Sequence, residues 1–124
     1  MNRYFLAALI ILAMPVCTLG EGVATGARSP GDMSPEERMD IMRTASKYDN
    51  CIYSHAVSSV GDFPDIRQAA DFAMGKCQNK LTDLEASITA MGFGSDFATA
   101  FSKRIRSRAA RKILPELAIR KAGG

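Results

Sequence analysis

Residues 34–60 read SPEERMDIMRTASKYDNCIYSHAVSSV and contain the clearest helix start in the chain. Ser34 is a preferred N-cap residue, Pro35 suits the first helical position, and Glu37 stands where a capping box needs an acid. Apolar and small side chains then recur at three- and four-residue steps, namely Met39, Met42, Ala45, Tyr48, Ile52, Ala56 and Ser59. This spacing predicts a helix over 35–60.

The most regular apolar pattern of the chain follows the connector at 61–65. Its stripe consists of Ile66, Ala70, Ala73, Cys77, Leu81, Leu84, Ile88 and Met91. With polar residues mostly on the other faces, this pattern predicts a second amphipathic helix over 64–91. Because the connector is short and contains Gly61 and Pro64, we expect the two helices to fold back on each other as an antiparallel hairpin.

A third helix is predicted over 96–114, with apolar positions at Ala98, Phe101, Ile105, Ala109 and Ile113. Pro115 lacks a backbone donor and clashes with the preceding turn, so we expect a kink or break there and a short helix over 116–121. No useful alternation with period two occurs, and the 124 residues allow one modest domain, assigned to 34–124. The predicted fold class is all-α, a small helical hairpin plus a basic third helix.

The segment 1–20 has the three parts of a secretory signal peptide, a basic start, an apolar run and an exit with small residues. The apolar run over 4–16 has 13 residues. As a helix it would extend roughly 20 Å, short of the roughly 30 Å of a bilayer core, which disfavours an uncleaved anchor. Cleavage is predicted after Gly20, with Ala24 as the second choice, and 21–33 is interpreted as a flexible leader.

Three cysteines are present, and Cys17 lies within the predicted signal peptide. Lipid modification of Cys17 is disfavoured because the bulky Val16 stands directly before it. The remaining pair, Cys51 and Cys77, suits an oxidising compartment such as a bacterial periplasm. The predicted hairpin brings the two cysteines near enough for a disulfide, and their wide spacing indicates a structural bond rather than a redox-active pair.

No combination of residues in the sequence forms a recognisable catalytic or metal site. A Ser/His/Asp set and a Gly-rich phosphate loop are both missing, and Glu37 already serves the helix start. His55 is the only histidine, one turn beyond Cys51, and the methionines Met39 and Met42 lie three to four turns away. We therefore expect an ordinary half-buried or surface histidine, no metal, no cofactor and no enzymatic activity.

Charge is distributed unevenly along the chain. The total of 16 Lys+Arg against 13 Asp+Glu gives only +3, too little for a general polyanion binder. Residues 97–124 nevertheless hold eight basic side chains against one acid, whereas residues 21–96 hold seven against twelve. The residues predicted to contact a partner or an anion are Arg104, Arg108, Arg111, Lys112, Phe101 and Ile105.

Like charges at the spacing of Arg104, Arg108 and Arg111 destabilise an isolated helix, so something must offset them. One explanation is that the arginines are simply solvated or pair with an acid of the first two helices, namely Asp40, Asp49, Asp71 or Asp83. An external anion is the other explanation. We predict an exported, non-enzymatic binding or scaffolding module of the cell envelope, with an acidic protein as its partner. The alternative is peripheral association with an anionic lipid surface, while a thiol-redox or other small enzyme is disfavoured and nucleic acid is not expected.

Overall fold

The computed structural model describes residues 26–124, which form four α-helices and two short 3₁₀ turns. The helices are α1 (Pro35–Ser59), α2 (Ile66–Lys76), α3 (Gln78–Ala90) and α4 (Ser95–Gly123). Within this part of the chain, β-structure is limited to one isolated bridge, so the all-α prediction is confirmed. The predicted signal peptide over 1–20 and both candidate cleavage sites lie outside the described residues.

Helix α1 begins at the predicted capping box. The Ser34 hydroxyl accepts a hydrogen bond from the Glu37 N–H at 3.1 Å, and the Glu37 carboxylate accepts one from the Ser34 N–H at 2.9 Å. Both bonds satisfy backbone donors that have no partner inside the helix. The helix ends at Ser59, and Asp65 then caps α2 by accepting from the Arg67 N–H at 2.8 Å.

The structure corrects the prediction of one long helix over 64–91, which is divided at Cys77 into α2 and α3. Cys77 has φ −98° and ψ 5°, outside the α-helical range, although its N–H still donates to the Ala73 carbonyl. Gly75, a weak helix former, lies two residues before the break. The apolar stripe continues across the interruption, so its spacing alone does not reveal the division.

Helix α4 passes through Pro115, so the predicted break and the separate short helix over 116–121 are wrong. A proline inside a helix costs about 3 kcal/mol because a hydrogen bond is lost and its ring opposes the preceding turn. Ile113 and Leu117, one on each side of the proline, are 4% and 0% exposed. Packing of these two side chains against the core holds the helix continuous despite that cost.

The core lies where the four helices meet. Its largest fully buried side chains are Tyr48, Ile41, Ile52, Leu81, Leu84, Ile88, Leu117 and Cys77. Two members of the apolar pattern near the start of α1 lie outside the core, since Met39 is 62% exposed and Met42 is 39% exposed. Ile41, four residues before the buried Ala45, is itself buried, whereas Met42, three residues before Ala45, is exposed.

A disulfide joins Cys51 in the middle of α1 to Cys77 at the junction of α2 and α3, with an S–S distance of 2.06 Å. The Cα atoms are 5.9 Å apart, inside the range that a disulfide requires. The bond closes a loop with a sequence separation of 26 residues. In the chain-entropy model such a loop contributes about 3.5 kcal/mol to stability, a large share for a small domain.

The described part of the predicted leader, residues 26–33, packs on the helices, which corrects the expectation of a flexible segment. The Arg28 guanidinium forms an ion pair with Glu37 at 2.5 Å and donates to the Met91 carbonyl at 2.9 Å. It also lies 4.6 Å from the centroid of the Phe93 ring. These contacts join positions far apart in the sequence, so local periodicity gives no sign of them.

The double substitution C51A/C77A is expected to lower the free energy of unfolding by about 3.5 kcal/mol, because the unfolded chain is no longer crosslinked. Urea denaturation followed by circular dichroism measures the change. Wild-type protein with its disulfide reduced is the matched control, since it loses the bond without any change of side-chain volume. A loss below about 1 kcal/mol in both samples would contradict the stabilising role given to this bond.

The Arg28–Glu37 ion pair predicts a pH-dependent stabilisation. Hydrogen bonds from Arg28 and from the Ser34 N–H lower the pKa of Glu37 from 4.5 to about 2. Because the folded-state pKa is lowered, the stabilisation is fully present above about pH 4.5 and is lost as the pH falls towards 2. An NMR titration of the Glu37 carboxyl tests this, and the variant R28M is expected to raise that pKa. A pKa near 4.5 in the wild type would refute the assignment.

Candidate functional site

The residues predicted as a contact surface do not form one continuous exposed face of α4. Ile105 is 3% exposed and belongs to the core, so it is not available to a partner, contrary to expectation. Arg108 and Lys112 pair with Asp49 of α1, at 3.7 Å and 3.2 Å from its Oδ2 atom. Arg111 is exposed and forms no ion pair with any residue in 26–124.

Asp49 is the internal counterion for the middle of α4. Its side chain is only 18% exposed, whereas those of Arg108 and Lys112 are 40% and 65% exposed. An acidic side chain on the neighbouring helix therefore offsets the repulsion between these two cations, which are four residues apart. Of the two explanations for the basic helix, the internal counterion accounts for Arg108 and Lys112.

A cleft of about 270 Å³ lies beside Asp49 between α1 and α4. Apolar side chains and groups of both charge signs line it, namely Asp49, Asn50, Ile52, Tyr53, Ala109, Lys112, Ile113 and Glu116. Lys112 is already paired with Asp49, and the carboxylate of Glu116 also lines the cleft, so the charges of the lining do not favour an anion. This cleft therefore does not have the properties expected of the predicted anion-binding surface.

A second concave surface, of about 300 Å³, lies between α4, the start of α1 and the segment before it. Its lining consists of Pro30, Met33, Arg38, Ile41, Met42, Phe97, Phe101 and Arg104. We call it the Arg38/Arg104 groove, after the two charged side chains in this lining. Both arginines are exposed, and neither forms an ion pair with the residues that the structure describes.

Aromatic and thioether side chains form the walls of the Arg38/Arg104 groove. The Phe97 and Phe101 rings on α4 have centroids 5.9 Å apart, and Phe97 also contacts Phe93 at 5.7 Å. Met42 of α1 is 39% exposed, and Met33 is partly buried against the core. Flexible thioethers adjust to differently shaped apolar groups. A concave apolar surface with a few polar groups at its margin is the usual form of a binding site.

Sequence reasoning identified only the α4 side of this groove, through Phe101 and Arg104. The opposite side was missed because the position of Met33 depends on how the segment before α1 packs, and because the approach of Arg38 and Met42 to α4 depends on how the two helices pack. One signal was present in the sequence: Arg38 and Met42 are four residues apart and therefore share a helix face. That face stays outside the core in the structure.

The imidazole of His55 lies beside the disulfide between Cys51 and Cys77. A ring nitrogen of His55 and the two sulfurs all lie within 4.8 Å of one another. His55 is exposed, as the sequence analysis allowed, while Cys51 is partly buried and Cys77 is buried. With both sulfurs in the disulfide, no thiolate is available for nucleophilic chemistry or for metal binding.

No protein-family model matches the chain, and no curated protein or solved structure matches it. Within residues 26–124, every helix is too short or too polar to cross a membrane. The Arg38/Arg104 groove is therefore the main indication of function that this small helical chain offers.

The pairing of Asp49 with Arg108 and Lys112 predicts that the protein loses stability when Asp49 is made neutral. The isosteric substitution D49N is expected to destabilise the protein by about 1 kcal/mol, because Arg108 and Lys112 then repel each other without a counterion. The matched control is R111A, an exposed cation of the same helix, which should stay within about 0.5 kcal/mol of the wild type. Urea denaturation at low and high salt measures both variants. Equal effects of D49N and R111A would contradict the role assigned to Asp49.

Proposed function

We propose that this chain is an exported, non-enzymatic binding protein whose Arg38/Arg104 groove takes an acidic, apolar segment of a protein partner. The observation that carries this proposal is an apolar groove flanked by two arginines without ion-pair partners in residues 26–124. Export to a bacterial periplasm or to the outside of the cell is supported by the predicted signal peptide over 1–20. The Cys51–Cys77 disulfide adds support, since such bonds persist in oxidising compartments.

In this interpretation the four helices are a modified form of the predicted hairpin. Helix α1 is one arm, and α2 with α3 is the other arm, interrupted at Cys77. Both parts of the second arm contact α1, and α4 contacts all three of the other helices. Helix α4 is then the basic third helix, packed across the hairpin and presenting Phe101 and Arg104 at its edge.

The size and charge of the groove define the kind of segment it takes. A volume of about 300 Å³ is at the lower end for binding pockets and suits one or two bulky apolar side chains. Carboxylates next to such an anchor would pair with Arg38 and Arg104, and hydrogen bonds between arginine and carboxylate are among the strong ones. The positive charge of residues 97–124 would also attract an acidic partner during encounter.

The geometry favours a protein segment over a lipid surface as the occupant. A helix that lies on a membrane needs one continuous apolar face with cations beside it. In α4 the apolar face, including Ile105 and Ile113, is buried against the core, and Asp49 already holds Arg108 and Lys112. A protruding side chain of a protein segment fits into a concave groove, whereas the flat surface of a bilayer does not.

The proposal is tested by selecting binders from a displayed library of random peptides. Selected peptides are expected to carry a bulky apolar residue with acidic residues beside it. Synthetic versions of these peptides should bind the charge-reversal variant R104E about tenfold more weakly than the wild type, about 1.4 kcal/mol. The variant R111E is the matched control, because Arg111 is exposed on the same helix and does not line the groove. Fluorescence anisotropy at fixed ionic strength gives the affinities.

Two results would overturn the proposal. One is a set of selected peptides without acidic residues, or an equal loss of affinity in R104E and R111E. The other is recruitment to anionic phosphatidylglycerol vesicles, but not to neutral vesicles, that weakens in R104E while no peptide binds. That second result would assign the groove to the membrane surface instead.

A further inference from the structure

We propose that Cys51, His55 and Cys77 form a zinc site when the disulfide between the two cysteines is reduced. In the oxidised protein the three ligand atoms already lie within 4.8 Å of one another. Around a tetrahedral zinc ion the Zn–S distance is about 2.3 Å and the Zn–N distance about 2.0 Å, so neighbouring ligand atoms lie roughly 3.5 Å apart. Small side-chain rotations therefore suffice to bring the three atoms around one ion. The site is independent of the Arg38/Arg104 groove.

The backbone already holds the three ligands in suitable positions. Cys51 and His55 are four residues apart on α1, so their side chains lie on one face in successive turns. Cys77 approaches from the junction of α2 and α3, where the chain leaves α-helical geometry. A Cα separation of 5.9 Å leaves the two sulfurs room to move apart once their bond is broken.

The exposure and the hydrogen bonding of His55 also fit a role as a zinc ligand. Its side chain is exposed, and among residues 26–124 no hydrogen bond engages the imidazole, so the ring can rotate towards the sulfurs. Cys77 is buried. Three protein ligands then leave the fourth position open towards solvent, where a water molecule completes the tetrahedron.

The type of ligand selects the metal. Thiolates and imidazole suit zinc in tetrahedral geometry, whereas magnesium and calcium require oxygen ligands. The thioethers of Met39 and Met42 lie three to four turns away along α1 and do not contribute. Two thiolates carry two negative charges, which a divalent zinc ion balances.

Conversion of the disulfide form into the zinc-bound form takes two steps, reduction of the disulfide and then binding of zinc. A small dithiol reduces the disulfide: each protein sulfur gains one electron and one proton, and the dithiol closes into its own disulfide. Zinc binding then displaces one proton from each of the two thiols. Both the disulfide and the zinc ion connect α1 to the α2–α3 junction, so one crosslink replaces the other as the redox conditions change.

The test uses the whole protein with its disulfide reduced by a water-soluble phosphine, which takes up the oxygen of one water to become the phosphine oxide. After anaerobic removal of the phosphine, cobalt(II) is added as a spectroscopic substitute, followed by zinc. We expect one cobalt ion per chain, with thiolate-to-cobalt charge-transfer bands that disappear when zinc displaces it. The oxidised wild type is the matched control and should show no such bands.

The histidine is tested separately with H55A, and S54A, an exposed neighbour on the same helix, is the control. Both variants should form the disulfide when oxidised, as shown by the absence of free thiols. When reduced, H55A should bind zinc more weakly and give a changed cobalt spectrum, whereas S54A should resemble the wild type. Reduced wild type that binds no cobalt or zinc, or H55A that binds as the wild type does, would overturn the proposal. Circular dichroism shows whether the reduced chain is folded, and a chain that stays unfolded with zinc also overturns it.

Discussion

The covalent bond between Cys51 and Cys77 joins the middle of α1 to the point where the chain changes from α2 to α3. Because Cys77 is buried and leaves helical geometry, the bond and the interruption occur at the same residue. Both α2 and α3 contact α1, and α4 contacts all three. A domain of this size buries too little surface to be stable by a wide margin, so a crosslink of about 3.5 kcal/mol is a major contribution.

Some cations of α4 pair inside the protein, and others face the proposed binding surface. Asp49 holds Arg108 and Lys112 against α1, which stabilises the packing of the basic helix. Arg104 lies one turn before this pair and faces the groove together with Arg38. Pro30 and Met33 of the segment before α1 line the same groove, and Arg28 anchors that segment to the helices. The stability of the fold and the proposed binding surface therefore depend on different parts of one helix.

The sequence allowed some of these features to be predicted, and the physical reasons differ for each. The capping box at Ser34 and the apolar stripes are local patterns, so the helical fold class and most of the core follow from them. The interruption at Cys77 and the continuous helix through Pro115 depend on contacts with other helices, which outweigh local preference. The part of the groove formed by residues 26–33 was missed because the packing of this segment depends on Arg28 and its long-range contacts. Arg104 was included in the predicted contact surface because of its charge. Ile105, the next residue, was included as well but lies in the core.

The most direct measurement is the intact mass of the protein taken from its native host, alkylated without reductant. An exported and oxidised chain should lack residues 1–20, or 1–24 for the second cleavage site, and should carry no alkyl group on Cys51 or Cys77. A chain with its original amino terminus and two alkylated sulfurs at these positions would contradict both the proposed export and the crosslink on which the fold depends.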